Sequence, residues 1–304
     1  MPIKVIHGKE AGPCLLIFSA VKGDELNGME IINRLLKSKQ LKNLRGTLIA
    51  IPVMNVLGLI NHPKASSPET NLEGCFPGKQ QGTYGERTAH LVTQEILSKA
   101  NYCIELQTGS LNHDILPQIY CNLDNPDSKS LAKQFTAPVI TNLIRNDNSL
   151  RQTVDNLNIP FVMYQAGEAM RLNESAISLG LTGIQNVMVH LGMLDEETTF
   201  ENNAYKSIFS QEQDWLRAHL SGVLHTEVEL GQMIRKKQIL GLISDPFSSD
   251  AREPVKSPSD GIVVGINRHP LIHEGQTLFK IASFIDNDRA ETTIEAWSEI
   301  LEAK

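Results

Sequence analysis

Lys22 and Glu25 stand three residues apart in the stretch Ser19-Ala-Val-Lys-Gly-Asp-Glu-Leu-Asn-Gly28, and their side chains offer different chemistry. A carboxylate at Glu25 can hold a cation or a metal, whereas a charged lysine has no lone pair to give either. As a neutral amine Lys22 could attack a carbonyl and form a Schiff base, but an adjacent Glu25 would keep it protonated. Gln107 ends the alternating run Tyr102-Cys-Ile-Glu-Leu-Gln before a Thr-Gly turn, and Gln165 and Glu168 close the run Ile159-Pro-Phe-Val-Met-Tyr-Gln-Ala-Gly-Glu. An amide is a poor zinc ligand and exchanges no proton at neutral pH. Glu168 reads as structural. Glu86 and His90 fall on one helix face with no further metal-spaced donor, which points to a hydrogen-bonded structural histidine. His113, in Leu111-Asn-His-Asp-Ile-Leu-Pro-Gln-Ile-Tyr120, reads as a lone loop histidine, either a displaced ligand or a hydrogen-bonded side chain.

The elements that must position these residues follow from the hydrophobic pattern. Cys14-Leu-Leu-Ile-Phe-Ser reads as a buried strand, the glycine-bearing stretch after it as a turn, and Met29-Glu-Ile-Ile-Asn-Arg-Leu-Leu-Lys as a helix. That order places polar side chains at the carboxyl edge of a parallel sheet, where α/β sites form. Gly46-Thr-Leu-Ile-Ala-Ile-Pro-Val-Met reads as a second buried strand and residues 55–78 as a long loop. A helix begins near Thr83, two helices flank the short strand at Pro138, and Leu172 to Met193 forms a long covering helix. After an acidic linker at Asp195–Glu201, the segment around Trp215 enters a second domain carrying an internal repeat. Gly222-Val-Leu, Leu230-Gly-Gln and Gln238-Ile-Leu-Gly-Leu-Ile are echoed by Gly261-Ile-Val-Val, Glu274-Gly-Gln and Gln276-Thr-Leu-Phe-Lys-Ile. Two such units predict a small two-fold β-sandwich of the biotinyl/lipoyl type, with Lys256 between them but outside any carrier-lysine setting. The amphipathic tail from Ala290 is predicted to pack back as a helix.

With 304 residues, of which 41% are hydrophobic, the chain can bury a large core, and a boundary is expected between an α/β domain at 1–205 and a β domain at 206–304. A net charge of -7 without a long basic run gives no footprint for nucleic acid or an anionic membrane. No apolar run reaches the roughly 18 residues of a membrane helix. The start of the chain lacks signal-peptide anatomy, so the cytoplasm is the expected compartment. Cys14, Cys75, Cys103 and Cys121 are widely spaced and read as buried thiols.

The stretch around Glu25 resembles the first metal motif, His-Gly-Asp-Glu-x-x-Gly, of the succinylglutamate desuccinylase and aspartoacylase family of zinc hydrolases. Further similar stretches are Cys75-Phe-Pro-Gly78, Glu86-Arg-Thr-Ala-His90, Glu105-Leu-Gln-Thr-Gly109 and Tyr164-Gln-Ala-Gly-Glu168. The resemblance runs over almost the entire chain. It implies a zinc-carboxypeptidase-like (phosphorylase/hydrolase-like) α/β fold, a mixed sheet flanked by helices with a small carboxyl-terminal β domain. It also implies roles for particular positions. Of the family's three zinc-ligand positions only Glu25 matches, the histidine places being taken by Lys22 and Gln107. Gln165 takes the place of the general base. In the substrate cleft Lys64 stands at an arginine, Glu73 and Gly74 stand at Asn-Arg, and His113 stands where many relatives carry an arginine. An arginine fork grips a carboxylate, a glycine offers nothing, and a glutamate repels an anion.

These replacements lead to the expectation of a pseudoenzyme, with no catalytic residue intact and no cofactor, zinc being required only if the family activity survives. A Lys22–Glu25 salt bridge bonded to Gln107 is expected in the place of the metal. The expected partners are a small molecule in the remodelled cleft, an active homologue, or a second copy of the chain. The alternative is zinc-dependent hydrolysis of an N-acyl amino acid or a related amide or ester.

Overall fold

A computed structural model describes residues 1–61, 72–143, 149–195, 205–247 and 252–302. In chain order the first elements are β1 (Lys4–His7), β2 (Glu10–Ser19), α1 (Leu26–Leu36), β3 (Arg45–Ile51), α2 (Val56–Asn61), α3 (Tyr84–Glu95) and β4 (Tyr102–Gln107). They are followed by β5 (His113–Cys121), α4 (Pro126–Phe135), β6 (Val139–Asn142), α5 (Leu150–Asn156), β7 (Phe161–Gly167) and α6 (Glu174–His190). The remainder comprises β8 (Ile208–Phe209), β9 (Glu212–Arg217), β10 (Gly222–Thr226), β11 (Met233–Ile234), β12 (Ile239–Ser244) and β13 (Arg252–Lys256). It ends with β14 (Gly261–Asn267), β15 (Leu271–Ile272), β16 (Thr277–Ser283) and α7 (Asn287–Glu302).

The apolar run Leu15-Leu-Ile-Phe18 is fully buried because β2 lies between β3 and β4, parallel to both, with helices on each face. Ile17 and Leu15 point to the layer of α1, α4 and α6, while Leu16 and Phe18 point to the layer of α3 and α5. Burial on both faces is why the strand reads as a continuous apolar run rather than an alternating one. β7 continues the parallel set beside β4, and β5 then runs antiparallel to β7. The sheet is therefore mixed, with strand order β1-β3-β2-β4-β7-β5-β14-β16-β9. Local chemistry sets the helix starts: Thr83 and Glu86 form a reciprocal capping box on α3, and Asn173 caps α6.

The expected break near residue 205 is not a break in the sheet. β14 pairs with β5 through Gly265–Ile115, Ile266–Asp114 and Asn267–His113, so the carboxyl-terminal strands extend the main sheet. A second sheet, β13-β12-β10-β15, packs on that extension through Leu224, Leu240, Ile243, Val263 and Phe279. One layer of the carboxyl-terminal pair is thus shared with the α/β body. Lys256 ends strand β13 rather than sitting at a hairpin tip. α7 packs on the body through Ala290, Ile294 and Trp297. Most of the acidic linker, residues 196–201, lies outside the described residues, and part of the long loop at 55–78 is the short helix α2.

Candidate functional site

Strand β2 ends at Ser19, and the chain turns through Ala20 (φ 55°) and Gly23 (φ 96°) into α1. The buried Ser19 hydroxyl donates to the Leu106 carbonyl at 3.0 Å, which ties the turn to the end of β4. Gly28 sits against Ser19 and Leu106, and this close approach explains the glycine of the Glu-x-x-Gly pattern. At Gly23 an added Cβ would meet the backbone of Gly58 and Leu59. The turn carries Lys22 and Glu25 past the carboxyl end of β2, where Ser19 pairs with Leu106 one residue before Gln107 ends β4.

Glu25 is 1% exposed and directly precedes α1. Its Oε2 accepts from the Lys22 backbone N–H at 3.3 Å, and its Oε1 has no hydrogen-bond partner. Burial raises its pKa to about 8, with the charge of Lys22 opposing and that of Glu105 adding, so the carboxyl is mostly neutral at pH 7. The expected Lys22–Glu25 salt bridge is replaced by a different pairing. The Lys22 ammonium lies 3.9 Å from Glu73 Oε2, and its side chain stays 40% exposed. Burial opposes its charge, but Glu25 and Glu73 hold its pKa above the ordinary lysine value.

The pairing continues inward. Arg151, from the first turn of α5, places Nη2 at 3.2 Å from Glu73 Oε1 and Nε at 3.4 Å from Glu105 Oε2. Glu105 Oε1 accepts from Gln107 Nε2 at 2.6 Å, which corrects the expectation that Gln107 would serve the Lys22–Glu25 pair. Gln165 Nε2 donates to the Thr108 carbonyl at 3.1 Å. A polar line therefore runs Lys22–Glu73–Arg151–Glu105–Gln107, with Glu105 and Gln107 both buried. Buried charges persist in such places only when paired and hydrogen-bonded.

The other positions singled out in the sequence fall in different places. Gly74 is exposed in the turn Glu73–Cys75 and contributes no side chain. Lys64 lies outside the described residues. His113 begins β5 rather than sitting in a loop; its Nδ1 bonds the Leu111 carbonyl at 2.9 Å and its Nε2 meets Thr277 Oγ1 at 2.7 Å. A carbonyl can only accept, so Nδ1 carries a proton; Nε2 is engaged with the Thr277 hydroxyl, and neither nitrogen offers a metal a free lone pair. Its ring also packs edge-on against Trp215. Glu86 serves the Thr83 cap and pairs with Lys79. Glu168 accepts from the Asn112 N–H and pairs with Arg171.

Composition decides whether this edge suits a catalytic zinc. Such a site needs three nitrogen, sulfur or carboxylate ligands and an open position. The three ligand positions here hold one carboxyl group, an ammonium and an amide already bonded to Glu105. The residues present do not fit the metal, and among the described residues no group of three or more His, Cys, Asp or Glu side chains is placed to hold one.

Two of these residues, Arg151 and Glu105, are not picked out by sequence reasoning. Glu105 carried a usable signal: it lies two residues before Gln107 on a strand, so both side chains share a face. Arg151 carried none, because its contacts come from 46 and 78 residues away.

The body is a mixed α/β sheet flanked by helices and extended by carboxyl-terminal strands. The chain belongs to the succinylglutamate desuccinylase/aspartoacylase family, whose catalytic-domain profile matches residues 11–191. It is 23% identical over 299 residues to the N-alpha-acetyl-L-2,4-diaminobutyric acid deacetylase of Halomonas elongata, covering 94% of this chain and 86% of the relative. Among solved structures, succinylglutamate desuccinylase/aspartoacylase from Rhodobacter sphaeroides matches with a TM-score of 0.82 at 23% identity, covering 93% of this chain and 89% of that one. The product-bound ectoine utilization protein EutE (DoeB) of Ruegeria pomeroyi matches with a TM-score of 0.82 at 20% identity, covering 93% and 88%. These likenesses show the fold.

Proposed function

We propose that this chain is a member of the family that binds rather than hydrolyses: a pseudoenzyme whose metal-free cleft holds a small polar molecule. One observation carries the reading. The line Lys22–Glu73–Arg151–Glu105–Gln107 joins two of the family's zinc positions and its substrate-clamp position in one set of ion pairs and hydrogen bonds. An ammonium 3.9 Å from Glu73 supplies positive charge at a zinc position without supplying a Lewis acid. Gln165, at the place of the general base, has an amide that takes up no proton at neutral pH and is spent on the Thr108 carbonyl. The free thiols of Cys14, Cys103 and Cys121 support a reducing compartment, the cytoplasm, and among the described residues no helix is long and apolar enough to cross a membrane. An active homologue or a second copy of the chain are further partners that this reading allows.

The similarity to a deacetylase over 94% of the chain favours a second reading, zinc-dependent deacylation of an N-acyl amino acid or a related amide or ester. The test is release of free amine from N-alpha-acetyl-L-2,4-diaminobutyrate, N-acetylaspartate and N-succinylglutamate, with and without added zinc. The wild-type protein is expected to give no turnover above the blank. A variant carrying Lys22→His, Gln107→His and Gln165→Glu serves as the reference for a restored site. Zinc-dependent turnover by the wild type would overturn the proposal.

A further inference from the structure

Gln107, Gln165 and Gln118 lie in register across β4, β7 and β5, so three amides stand side by side on one face of the sheet. The row continues into the carboxyl-terminal strands. Gln213 on β9 donates from Nε2 to Gln118 Oε1 at 2.7 Å and to Ser210 Oγ at 3.3 Å, and its Oε1 accepts from the Tyr120 hydroxyl at 3.3 Å. Lys280 on β16 donates to that same hydroxyl oxygen at 2.7 Å.

The cluster has more donors than acceptors. The Gln118 amide is fully buried, yet its Nε2 donates to nothing. Lys280 spends one of its three hydrogens on Tyr120, and among the described residues no carboxylate lies within ion-pair distance of it. Asp214 acts on it only from farther away, and burial brings the amine down to about 8. An ammonium held without a carboxylate partner, in one hydrogen-bonded cluster with an idle amide donor, is an arrangement that an oxyanion completes. Lys22 and Arg151, in contrast, already have carboxylate partners. Tyr120, Gln213 and Lys280 all keep part of their surface open to solvent. The positive charge of Arg151 also reaches Tyr120 from the cleft side.

We propose that Lys280 and the Gln118 amide, linked through Tyr120 and Gln213, form an oxyanion-binding subsite, which takes a carboxylate or phosphate group of the molecule held in the adjoining cleft. The subsite rests on the binding reading only for the rest of that molecule, since free anions suffice to test it. Trp215, the strand partner of Lys280, is the reporter.

The experiment titrates acetate, inorganic phosphate and, as the control, chloride into the full chain at constant ionic strength, following tryptophan fluorescence and the melting temperature. A saturable response to acetate or phosphate, absent with chloride, is expected, and it should weaken about tenfold or more in Lys280→Met. It should persist in Lys22→Met, whose cation belongs to the cleft. Acetate alone responding assigns a carboxylate; phosphate responding more strongly assigns a phosphate ester. If Lys280→Met does not fold, Gln118→Leu carries the test, with a weaker response expected. No saturable response in the wild type would overturn the proposal, as would one unchanged in the folded Lys280→Met or Gln118→Leu variant. Hydrolysis of acyl substrates, the outcome that would sink the binding reading, leaves this result untouched.

Discussion

Replacing Glu25 with glutamine should remove most of the pH dependence that this one position gives to stability. The carboxyl is 1% exposed, lacks a partner at Oε1 and has its pKa raised by burial to about 8 from an ordinary 4.5. A raised pKa means that the folded state holds the proton more tightly than the unfolded chain does. The stability contributed by the protonated carboxyl is therefore complete below the unfolded value and is lost as pH rises through the folded one. At about 1.4 kcal/mol per unit the loss reaches about 3 kcal/mol by pH 7 and is on the order of 4–5 kcal/mol above pH 8. Glutamine has no proton to lose. Urea titrations of both proteins at a series of pH values from 4 to 9, followed by circular dichroism, should give curves that nearly coincide at the acid end and diverge upward in favour of Glu25→Gln. Parallel curves would refute the reasoning. A variant less stable than the wild type at pH 8 would mean that Glu25 is ionised and paired with a cation there.

Other perturbations test the neighbouring interactions. Arg151→Met leaves Glu73 and the buried Glu105 without their shared cation and should cost about 3–5 kcal/mol in urea unfolding; a loss below about 1 kcal/mol would mean the pairing carries little. Gly28→Ala brings a Cβ to 2.1 Å from Ser19 Oγ and 2.8 Å from Leu106 Cβ, and should cost about 1–3 kcal/mol in the same assay. Thr83→Ala removes the reciprocal cap of α3 and should cost about 1 kcal/mol, read as a small fall in melting temperature without loss of helix signal at low temperature.

Much of this arrangement was legible in the sequence because it is local. The run Leu15–Phe18, the turn through Gly23 and the helix face of Ile31, Ile32 and Leu35 follow from periodicity and glycine alone. The departures at Lys22, Gln107 and Gln165 are likewise visible as residue types. What the sequence hid was non-local. Glu73 comes from a turn 51 positions after Lys22, and it pairs with both the Lys22 ammonium and Arg151. His113 reads as a loop residue because Pro117 interrupts the pattern of the following segment, yet β5 accommodates the proline beside a register shift between Ile115 and Gln118. The sharing of one sheet between the two parts of the chain was hidden for a similar reason. The repeat in the carboxyl-terminal part signals a self-contained sandwich, while the pairing of β14 with β5, which joins it to the body, leaves no mark in either strand alone.

The central question is whether an ammonium, an amide and one largely neutral carboxyl stand in the place of a zinc site. The most direct measurement is the zinc content of the purified full chain by elemental analysis after exposure to excess zinc and exhaustive dialysis. Retained zinc far below one equivalent per chain is the expected result. Near-stoichiometric zinc, lost on Glu25→Ala, would contradict the account and return the chain to the metal-dependent chemistry of its family.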